Sequence, residues 1–244
     1  MEAGDAFVAR PAGRAPADAQ LGTPRVHLRR VDSTNTLARE LAGRGAPHGT
    51  LVTAAEQTSG RGRQGRAWSA PPGTALLCSW VIREPPALLS LAAGVAVAEL
   101  CGERAQLKWP NDVLIDGRKV SGILVEGRPQ ERWAVLGIGI NVALTPGRLP
   151  EPIRARAGTL GLDPTEIEPT LGRLRVHLQH WLDAPPEAVL EAVRARDALR
   201  GRRVTWAEGS GIAAGVDDAG RLVVTLDDGS GAALDAGEVH LSRP

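Results

Sequence analysis

The spacing of apolar residues changes along the chain, and each change predicts a different kind of element. Alternating or short apolar runs between turn residues predict strands, whereas apolar residues recurring every three or four positions predict helices. The predicted strands of the first part are 26–31, 50–57, 74–82 and a run of further strands within 105–142. Helical spacing is present at 37–42 and 88–101, and again from 150 to about 198. After Gly201 the pattern returns to short strands separated by turns.

Turn and helix-start residues agree with these boundaries. Asp116-Gly117 is a hairpin turn signal between two of the predicted strands. Pro185-Pro186 stands where the last helix is expected to begin, a position that proline favours. Residues 58–73 have no apolar period and are predicted to form a loop.

The order of the elements predicts an α+β protein. A strand, a helix, a run of packed strands and then helices do not fit regularly alternating βαβ units. We therefore expect a mixed central β-sheet with flanking helices, followed by a small β-barrel-like unit. The predicted divisions are a flexible tail at 1–24, a main domain at 25–200 and a C-terminal β domain at 201–244.

Composition narrows the class of protein. Hydrophobic residues make up 43% of the 244 residues, and the formal net charge is +1. The first value is too high for a disordered chain, and the second gives no reason to expect a nucleic-acid or membrane surface. No apolar run is long enough to span a bilayer, and the N-terminus lacks the apolar core of a secretory signal. Cys78 and Cys101 lie in apolar text and indicate buried thiols, so we expect a cytoplasmic protein.

The basic residues are strongly biased towards arginine. Only Lys108 and Lys119 are lysines among the 29 basic residues. A lysine supplies a compact ammonium where arginine supplies a planar fork, and the two lysines lie close together in the sequence. They are candidates for a site at which a compact positive charge is needed.

The first candidate site is the arginine–glycine segment 60–66. It matches the pattern G-x-G-x-x-G, but a dinucleotide-binding fingerprint must open a helix, and here the chain runs into Pro71-Pro72. Two readings remain, a solvated basic loop and a loop that folds over phosphates or a carboxylate. The alternation of arginine with glycine beside Trp68 favours the second, because guanidiniums bind such groups in bidentate fashion and glycines allow closure.

The second candidate site is the polar corner between two predicted strands, which carries Lys108, Asn111, Asp112 and Lys119. Read as structure alone, it is a β-hairpin with turn residues after a proline. A carboxylate and an amide near two ammoniums are also what a magnesium nucleotide and an activated acyl group require. Gly122 indicates a close approach to the backbone of its strand.

Two further features leave structural and functional readings open. Gly137 and Gly139 interrupt an apolar strand, and either a β-bulge or a ligand lying on the backbone would account for them. The polar run 32–35 is suited to an N-cap by Asp32 or Ser33. Its hydroxyl and amide groups could also hold a small polar ring, together with Gln57.

Taken together, these motifs are similar to those of the biotin–protein ligase family. The resemblance is dense over 26–142 and rests on the polar run 33–35, the arginine–glycine loop, KWPND at 108–112, KVSGILVE at 119–126 and GIGIN at 137–141. It implies a class II synthetase-like catalytic fold with an SH3-like C-terminal domain. It also implies the activity of a biotin–[acetyl-CoA-carboxylase] ligase. In that reaction biotin and MgATP give biotinyl-5'-adenylate, which then acylates a lysine of a biotin carboxyl carrier protein.

The resemblance also implies roles for individual residues. The implied catalytic residues are Lys119, Arg63, Arg61 and Lys108. The implied biotin-binding residues are Ser33, Thr34, Asn35, Gln57, Gly60, Arg61, Gly62, Arg63, Lys119, Gly122, Gly137 and Gly139. The implied nucleotide-binding residues are Arg63, Arg66, Trp68, Asn111 and Asn141. Asp112 is the implied Mg²⁺ ligand.

Some features depart from the family pattern. Many members carry an N-terminal winged-helix domain, whereas only a tail-like segment precedes the catalytic region here, so we expect a short form that does not bind DNA. Arg243 is displaced from the position expected for the last strand. The resemblance allows a homodimer formed through a sheet edge, although no residue requires one. The alternative functions are a lipoate–protein ligase-like acyltransferase, which lacks this form of the loop, and a non-catalytic module that binds biotin or the carrier.

Overall fold

The structure is a computed structural model that describes residues 20–145, 147, 149, 151, 153–235 and 239–241. Most of the predicted N-terminal tail and Arg243 therefore lie outside the described residues. Among the described helices, none combines the length and the apolar character needed to cross a membrane.

Seven strands form the main sheet. They are β1 Arg25–Leu28, β2 Leu51–Ala54, β3 Ala75–Arg83, β4 Ala105–Lys108, β5 Asp112–Ile115, β6 Arg118–Arg128 and β7 Trp133–Asn141. Their order is β1-β2-β3-β7-β6-β5-β4, with β1 parallel to β2 and the other neighbours antiparallel. The predicted mixed sheet is confirmed. Asp116 and Gly117 join β5 to β6 with φ of 50° and 73°, the positive values that a tight hairpin turn requires.

The described residues also form five α-helices. They are α1 Thr34–Gly43, α2 Leu89–Cys101, α3 Ile153–Arg156, α4 Ile167–Asp183 and α5 Pro186–Ala195. The helical character expected from 150 to about 198 is present in α3, α4 and α5, whereas residues 158–163 between them are not helical. Asn141 explains part of this, because its Nδ2 and backbone carbonyl bind Gly158 and Leu160 and hold the chain extended beside β7.

The two faces of the sheet are covered differently. Alternate residues of a strand point to opposite faces. In β3, Cys78 and Trp80 belong to the large core formed with α2, α4 and α5. Val81 points the other way and packs with Ala38 and Ala42 of α1. The sheet therefore has a thick helical layer on one face, whereas the described part of the chain places only short helices, α1 and α3, beside the other.

The N-terminus of α1 differs from the expectation. Ser33 occupies the N-cap position, but no side-chain cap is formed there. Asp32 accepts from the adjacent backbone N–H of Ser33 at 2.6 Å, and Gln57 Oε1 instead accepts from the N–H of Thr34 at 2.7 Å. A distant side chain therefore satisfies one of the first helical N–H groups. The predicted N-cap position of Ser33 is confirmed, but neither Ser33 nor Asp32 makes the side-chain capping hydrogen bond.

A second sheet follows the helices. Its strands are β8 Arg203–Trp206, β9 Gly209–Val216, β10 Leu222–Thr225, β11 Gly231–Leu234 and β12 His240–Leu241. They are antiparallel in the order β11-β10-β9-β8-β12. Val204 and Leu222 share one apolar core with Leu190 of α5, and Trp109 Nε1 donates to the carbonyl of Gly220 at 3.0 Å. A C-terminal antiparallel sheet was predicted and is present, whereas its SH3-like character and the boundary at 201 stay predictions.

Candidate active site

The open part of the α1 face of the sheet holds a cavity. Next to α1, this face carries Val81 and Val135, but further along β3 and β7 it carries Ser79, Gly137 and Gly139. A cavity of about 280 Å³ lies above these residues. The sequence of the two strands thus produces a hollow, because small residues replace the side chains that would fill it.

Nearly all of the sequence-predicted site residues meet in this cavity. Those that line it are Ser33, Thr34, Asn35, Gln57, Arg61, Gly62, Arg63, Arg66, Trp68, Lys108, Asn111, Asp112, Lys119, Gly122, Gly137, Gly139 and Asn141. The exception is Gly60, which is buried and whose carbonyl accepts from the backbone N–H of Trp68 at 2.9 Å. A Cβ atom at position 60 would overlap the carbonyl oxygen of Trp68. The lack of a side chain at Gly60 therefore allows the two arms of the loop to approach each other.

A buried polar network forms one end of the cavity. Thr34 Oγ1 donates to Gln57 Oε1 at 2.9 Å, and Ser79 Oγ donates to Asn35 Oδ1 at 2.6 Å. Ser79 Oγ also lies 2.8 Å from Thr34 Oγ1. Sequence analysis missed Ser79, although a hydroxyl in the middle of a wholly apolar strand was the signal that could have found it. The network holds hydroxyl and amide groups in fixed orientations, as recognition of a small polar ring requires.

The glycines of β7 provide the floor of the cavity. A Cβ at Gly137 would overlap the amide of Asn35, and a Cβ at Gly139 would lie 2.5 Å from Cε2 of Trp68. No bulge explains them, because β7 pairs with β3 and β6 without a shift in register. The side chains of Asn35 and Trp68 lie close to the backbone of these two glycines. That a ligand also lies on this backbone stays a prediction.

The arginine–glycine segment folds into a small hairpin over the cavity, which we call the 60–68 hairpin. The N–H of Gly62 donates to the carbonyl of Arg66 at 2.7 Å, and the N–H of Trp68 to that of Gly60. Arg63 lines the cavity, and burial lowers the pKa of its guanidinium although Asp112 opposes the shift. The predicted loop is therefore confirmed as irregular structure with a basic inner surface.

A cationic corner lies opposite the polar network. Lys119 Nζ is 2.6 Å from Asp112 Oδ1 and 5.5 Å from the centroid of the Trp68 ring. Lys108 is paired with Asp112 across β4 and β5. The predicted meeting of the two lysines with Asp112 is thus present, and it places the Lys119 ammonium beside the Trp68 ring.

The two predicted nucleotide-binding amides have structural partners. Asn111 Nδ2 donates to the carbonyl of Ile123 at 2.9 Å, and Asn141 Nδ2 donates to that of Gly158 at 2.8 Å. Both side chains line the cavity, and both fix the ends of strands that border it. A direct contact of either amide with a ligand stays a prediction.

The residues that line the cavity could bind a metal ion only together with a bound ligand. Among the described residues, no group of three or more histidine, cysteine, aspartate or glutamate side chains could hold a metal. Asp112 is the one carboxylate among the lining residues, and it is paired with Lys119. Mg²⁺ is commonly bound by one or two carboxylates plus substrate phosphates, so the cavity suits a nucleotide-borne Mg²⁺ and not a cage made by the protein.

Several lining residues carried no signal in the sequence. They are Leu144, Leu149, Ile153, Arg156, Ala157 and Val239. They come from the segment after β7 and from the C-terminal sheet, which only the tertiary fold brings to the cavity. Val239 shows that the second sheet borders the same cavity as the main sheet.

Comparison with known proteins agrees with this geometry. The model of the "Biotin/lipoate A/B protein ligase family" matches residues 27–142. The chain is 41% identical to "Bifunctional ligase/repressor BirA" of Bacillus subtilis over 53% of its length, but it spans only 44% of that relative. It is 36% identical to "Biotin--[acetyl-CoA-carboxylase] ligase" of Paracoccus denitrificans, over 81% of this chain and 92% of the relative.

A solved structure supports the same grouping. The "Biotin protein ligase from Aquifex aeolicus in complex with biotin and ATP" matches with a TM-score of 0.73 and 29% identity. The match covers 90% of this chain and 99% of that one, so it includes both sheets. Shared fold, shared motifs and identity over nearly the whole of a relative lead to one conclusion: the chain belongs to the biotin/lipoate A/B protein ligase family, among its biotin–protein ligases.

Proposed function

We propose that this chain activates biotin with ATP to biotinyl-5'-adenylate and then transfers the biotinyl group to a lysine of a biotin carboxyl carrier protein. The observation that carries the proposal is the single cavity in which a rigid polar network, a bare backbone floor and a cationic corner meet. A polar bicyclic ring, an aliphatic chain and a carboxylate require these three environments in this order. The 36% identical relative over most of the chain supports the same reaction.

At the polar end, the chain's own hydrogen bonds would orient the biotin ring. Ser33, Thr34 and Asn35 are buried at 2%, 4% and 4% exposure. Gln57 fixes Thr34, and Ser79 fixes Asn35. Because these groups are held before the ligand arrives, little ordering entropy remains to be lost on binding.

At the cationic end, Lys119 would hold the biotin carboxylate and the α-phosphate together. A carboxylate and a triphosphate repel each other, so their approach requires cations on several sides. At about 4 Å and an effective dielectric of about 20, one such contact is worth roughly 4 kcal/mol before desolvation. Arg63, Arg66 and Lys108 line the same cavity and would supply further positive charge.

Lys119 would exchange partners on substrate binding. In the structure Lys119 Nζ pairs with Asp112 at 2.6 Å. When a substrate carboxylate takes Lys119, the Asp112 carboxylate becomes able to hold Mg²⁺. That ion would supply neutralisation of the phosphate oxygens. Asp112 therefore keeps the lysine in place until substrates arrive.

The 60–68 hairpin would exclude water during the reaction. An acyl-adenylate hydrolyses in water, so the intermediate must stay covered until the acceptor lysine arrives. Arg61, Arg63 and Trp68 form the inner surface of the hairpin. Val239 borders the same cavity, and we propose that the C-terminal domain at 201–244 helps to close it.

The two cysteines support a cytoplasmic location for this reaction. Both are free. Burial raises the pKa of Cys101 to about 12 and that of Cys78 further, so neither thiol is a ready nucleophile. Inert reduced thiols are typical of proteins kept in a reducing compartment.

The proposed function is tested by mass spectrometry of a biotin carrier fragment incubated with the protein, biotin and MgATP. The expected result is the addition of one biotinyl group to one lysine. Biotin-dependent exchange of pyrophosphate into ATP is expected in the absence of the carrier, and lipoate should not replace biotin. Lack of both the mass addition and the exchange would refute the proposal.

Lys119→Ala tests the proposed centre of the site. We expect adenylate formation to fall by about 100-fold or more, the range seen when one preorganised charge-stabilising group is removed. Circular dichroism should stay unchanged, since Lys119 is not part of the core. Arg132→Ala is the control, because Arg132 pairs with Glu84 on the exposed surface. Near-normal pyrophosphate exchange in Lys119→Ala would contradict the assignment.

A further inference from the structure

Glu126 of β6 has an environment that the proposed chemistry does not explain. Its side chain is 18% exposed. Oε2 accepts from Asn35 Nδ2 at 2.9 Å, and Oε1 accepts from Arg61 Nη2 at 2.8 Å. Arg39 Nη1 of α1 lies 3.5 Å from the same Oε1. One carboxylate therefore joins the cavity network, the 60–68 hairpin and α1.

On the cavity side, Glu126 completes the fixation of Asn35. The Asn35 carbonyl oxygen accepts from Ser79, and its amide nitrogen donates to Glu126. The space for this amide is left by Gly137, where a Cβ would overlap it. The orientation of Asn35 thus depends on Ser79 in β3 and on two acceptors in β6, Glu126 at 2.9 Å and the carbonyl of Leu124 at 3.4 Å.

On the other side, Glu126 holds one arm of the 60–68 hairpin. Arg61 is bridged to Ala67 in the opposite arm, next to Trp68. Trp68 in turn rests on Gly139 and Gly122 of the floor. The contact between Glu126 and Arg61 therefore holds both arms of the hairpin against the sheet.

The charges at this point make the carboxylate necessary. Arg61 Nη2 and Arg39 Nη1 converge on the same oxygen of Glu126. Without that negative charge, two guanidiniums would face each other across the base of the hairpin. Their repulsion would lift the hairpin away from α1 and from the cavity.

We propose that Glu126 is a positioning residue that holds the 60–68 hairpin closed through Arg61 while fixing the Asn35 amide in the cavity. The two oxygens of the Glu126 carboxylate thereby couple the shape of the ring-binding pocket to closure of the 60–68 hairpin. The inference rests on the proposed function for its consequence in catalysis, but the coupling itself rests on contacts within this chain.

Limited trypsin digestion without substrates tests the hairpin contact. Glu126→Gln keeps the size of the side chain and removes its charge, and we expect cleavage after Arg63 and Arg66 to become about tenfold faster, as for the loss of one coupled contact. Glu56→Gln is the matched control, because Glu56 pairs only loosely with the exposed Arg30 at 3.4 Å. Cleavage equal to that of the wild type, or equally fast in Glu56→Gln, would overturn the proposal.

Two further variants separate positioning from a general loss of structure. Arg61→Gln, combined with Glu126→Gln, should make cleavage no faster than Glu126→Gln alone, because both changes remove the same contact. Arg39→Gln, added to Glu126→Gln, should slow cleavage again, because it removes the repelling charge. Additive effects in the first pair, or no slowing in the second, would contradict the mechanism even if Glu126→Gln alone were unstable.

The catalytic consequence is measured separately. With biotin as the varied substrate, Glu126→Gln should raise KM for biotin by about tenfold and increase leakage of biotinyl-adenylate, with a smaller change in kcat. Unchanged KM and leakage would refute the coupling to the ring pocket. If the wild-type protein formed no adenylate while Glu126→Gln still opened the hairpin, the proposed function would fail and the positioning role would stand.

Discussion

Single residues of β7 show how an absence of side chain creates a site. Gly139 has ordinary strand geometry in an unbroken ladder, so no turn or bulge requires it. What requires it is the indole of Trp68, which lies where a Cβ would be. The sequence indicated that glycines are unusual in such a strand. It could not show that Trp68 fills the space above Gly139, because Trp68 lies before β3, far from β7 along the chain.

Gly139→Ala is expected to disturb the floor without unfolding the protein. The added methyl group would lie 2.5 Å from Trp68 Cε2, and such overpacking costs about 1–3 kcal/mol. We expect KM for biotin to rise about tenfold or more, measured by pyrophosphate exchange. Gly172→Ala in α4 is the control: apart from the adjacent backbone of its own helix, no atom lies within 4 Å of the added Cβ, and the change should stabilise the helix by about 0.5–1 kcal/mol. A wild-type KM in Gly139→Ala would contradict the close packing of Trp68.

Arg63→Gly is expected to release the intermediate. Arg63 lines the cavity, where burial lowers the pKa of its guanidinium, although an arginine remains charged at neutral pH. Without this charge the adenylate should escape about tenfold faster or more, and it should biotinylate unrelated lysine-rich proteins. The measurement is biotin incorporation into such a protein, with Arg132→Gly as the surface control. Labelling confined to the carrier would refute a retention role for Arg63.

At the scale of elements, the 60–68 hairpin is the part whose structure is least determined by local sequence. Gln64 and Gly65 turn the chain with φ of 54° and 72°, and only a few backbone hydrogen bonds join the arms. Arg61 is half-exposed, so its pair with Glu126 is partly screened by solvent. The hairpin is therefore suited to open and close at little cost, which a cover over an enclosed reaction requires.

Ligand binding should protect this hairpin from proteolysis. We expect trypsin to cleave after Arg63 and Arg66 at least about tenfold more slowly in the presence of biotin and ATP, because cleavage follows the population of the open form. Cleavage sites in α4, such as Arg175, provide an internal control that the ligands should not change. Equal cleavage of the hairpin with and without ligands would count against a closing cover.

Strands and helices followed the local pattern more closely. The apolar alternation of β3 distributes its residues between two cores, and the unbroken apolar run of α2 is buried on all sides. Between β7 and α4, residues 158–163 are not helical, and Asn141 Nδ2 donates to the carbonyl of Gly158 there. Local propensity is a weak preference that tertiary contacts readily exceed.

At the scale of the whole molecule, the two sheets are joined at Asp197, in the connection between α5 and β8. The backbone around it bridges to Leu107 of β4. Asp197 Oδ1 accepts from the N–H of Leu199 at 2.7 Å, whereas Oδ2 is buried with no hydrogen-bond partner among the residues that the structure describes. Burial raises the pKa of this carboxyl, although nearby N–H groups and Arg200 oppose the shift.

The raised pKa of Asp197 predicts that the free energy of unfolding depends on pH. A carboxyl with a higher pKa in the folded than in the unfolded state favours folding below its unfolded pKa, and this contribution is lost as pH rises through the folded pKa. Asp197→Asn should therefore stabilise the protein at pH 7, by about 1 kcal/mol because it removes a buried negative charge, and by less near pH 4. Urea unfolding at both pH values measures this.

The control for this prediction is Asp218→Asn. Asp218 is 96% exposed and pairs with Arg194 at the surface, so its removal should change the free energy of unfolding by less than about 0.5 kcal/mol at either pH. A less stable Asp197→Asn protein at pH 7 would show that the ionised carboxylate is satisfied after all.

The sequence by itself determined the kinds of elements, the mixed sheet followed by a second β unit, and the motifs of the family. It did so because period, turn residues and charged segments are local properties of the chain. Those motifs also named the residues that meet in the cavity, with Gly60 just behind it.

Only the tertiary structure decided how these residues act on one another. Asn35 meets Ser79 and Glu126 across separations of 44 and 91 residues, and Lys119 meets Asp112 only because β5 and β6 pair, with a shift in register between Val113 and Leu114. Hydrogen bonds and ion pairs depend on distances of a few ångströms, which strand pairing fixes and linear spacing does not. For that reason the sequence could mark Glu126 as the last residue of a motif, while the fold alone placed it between the cavity and its cover.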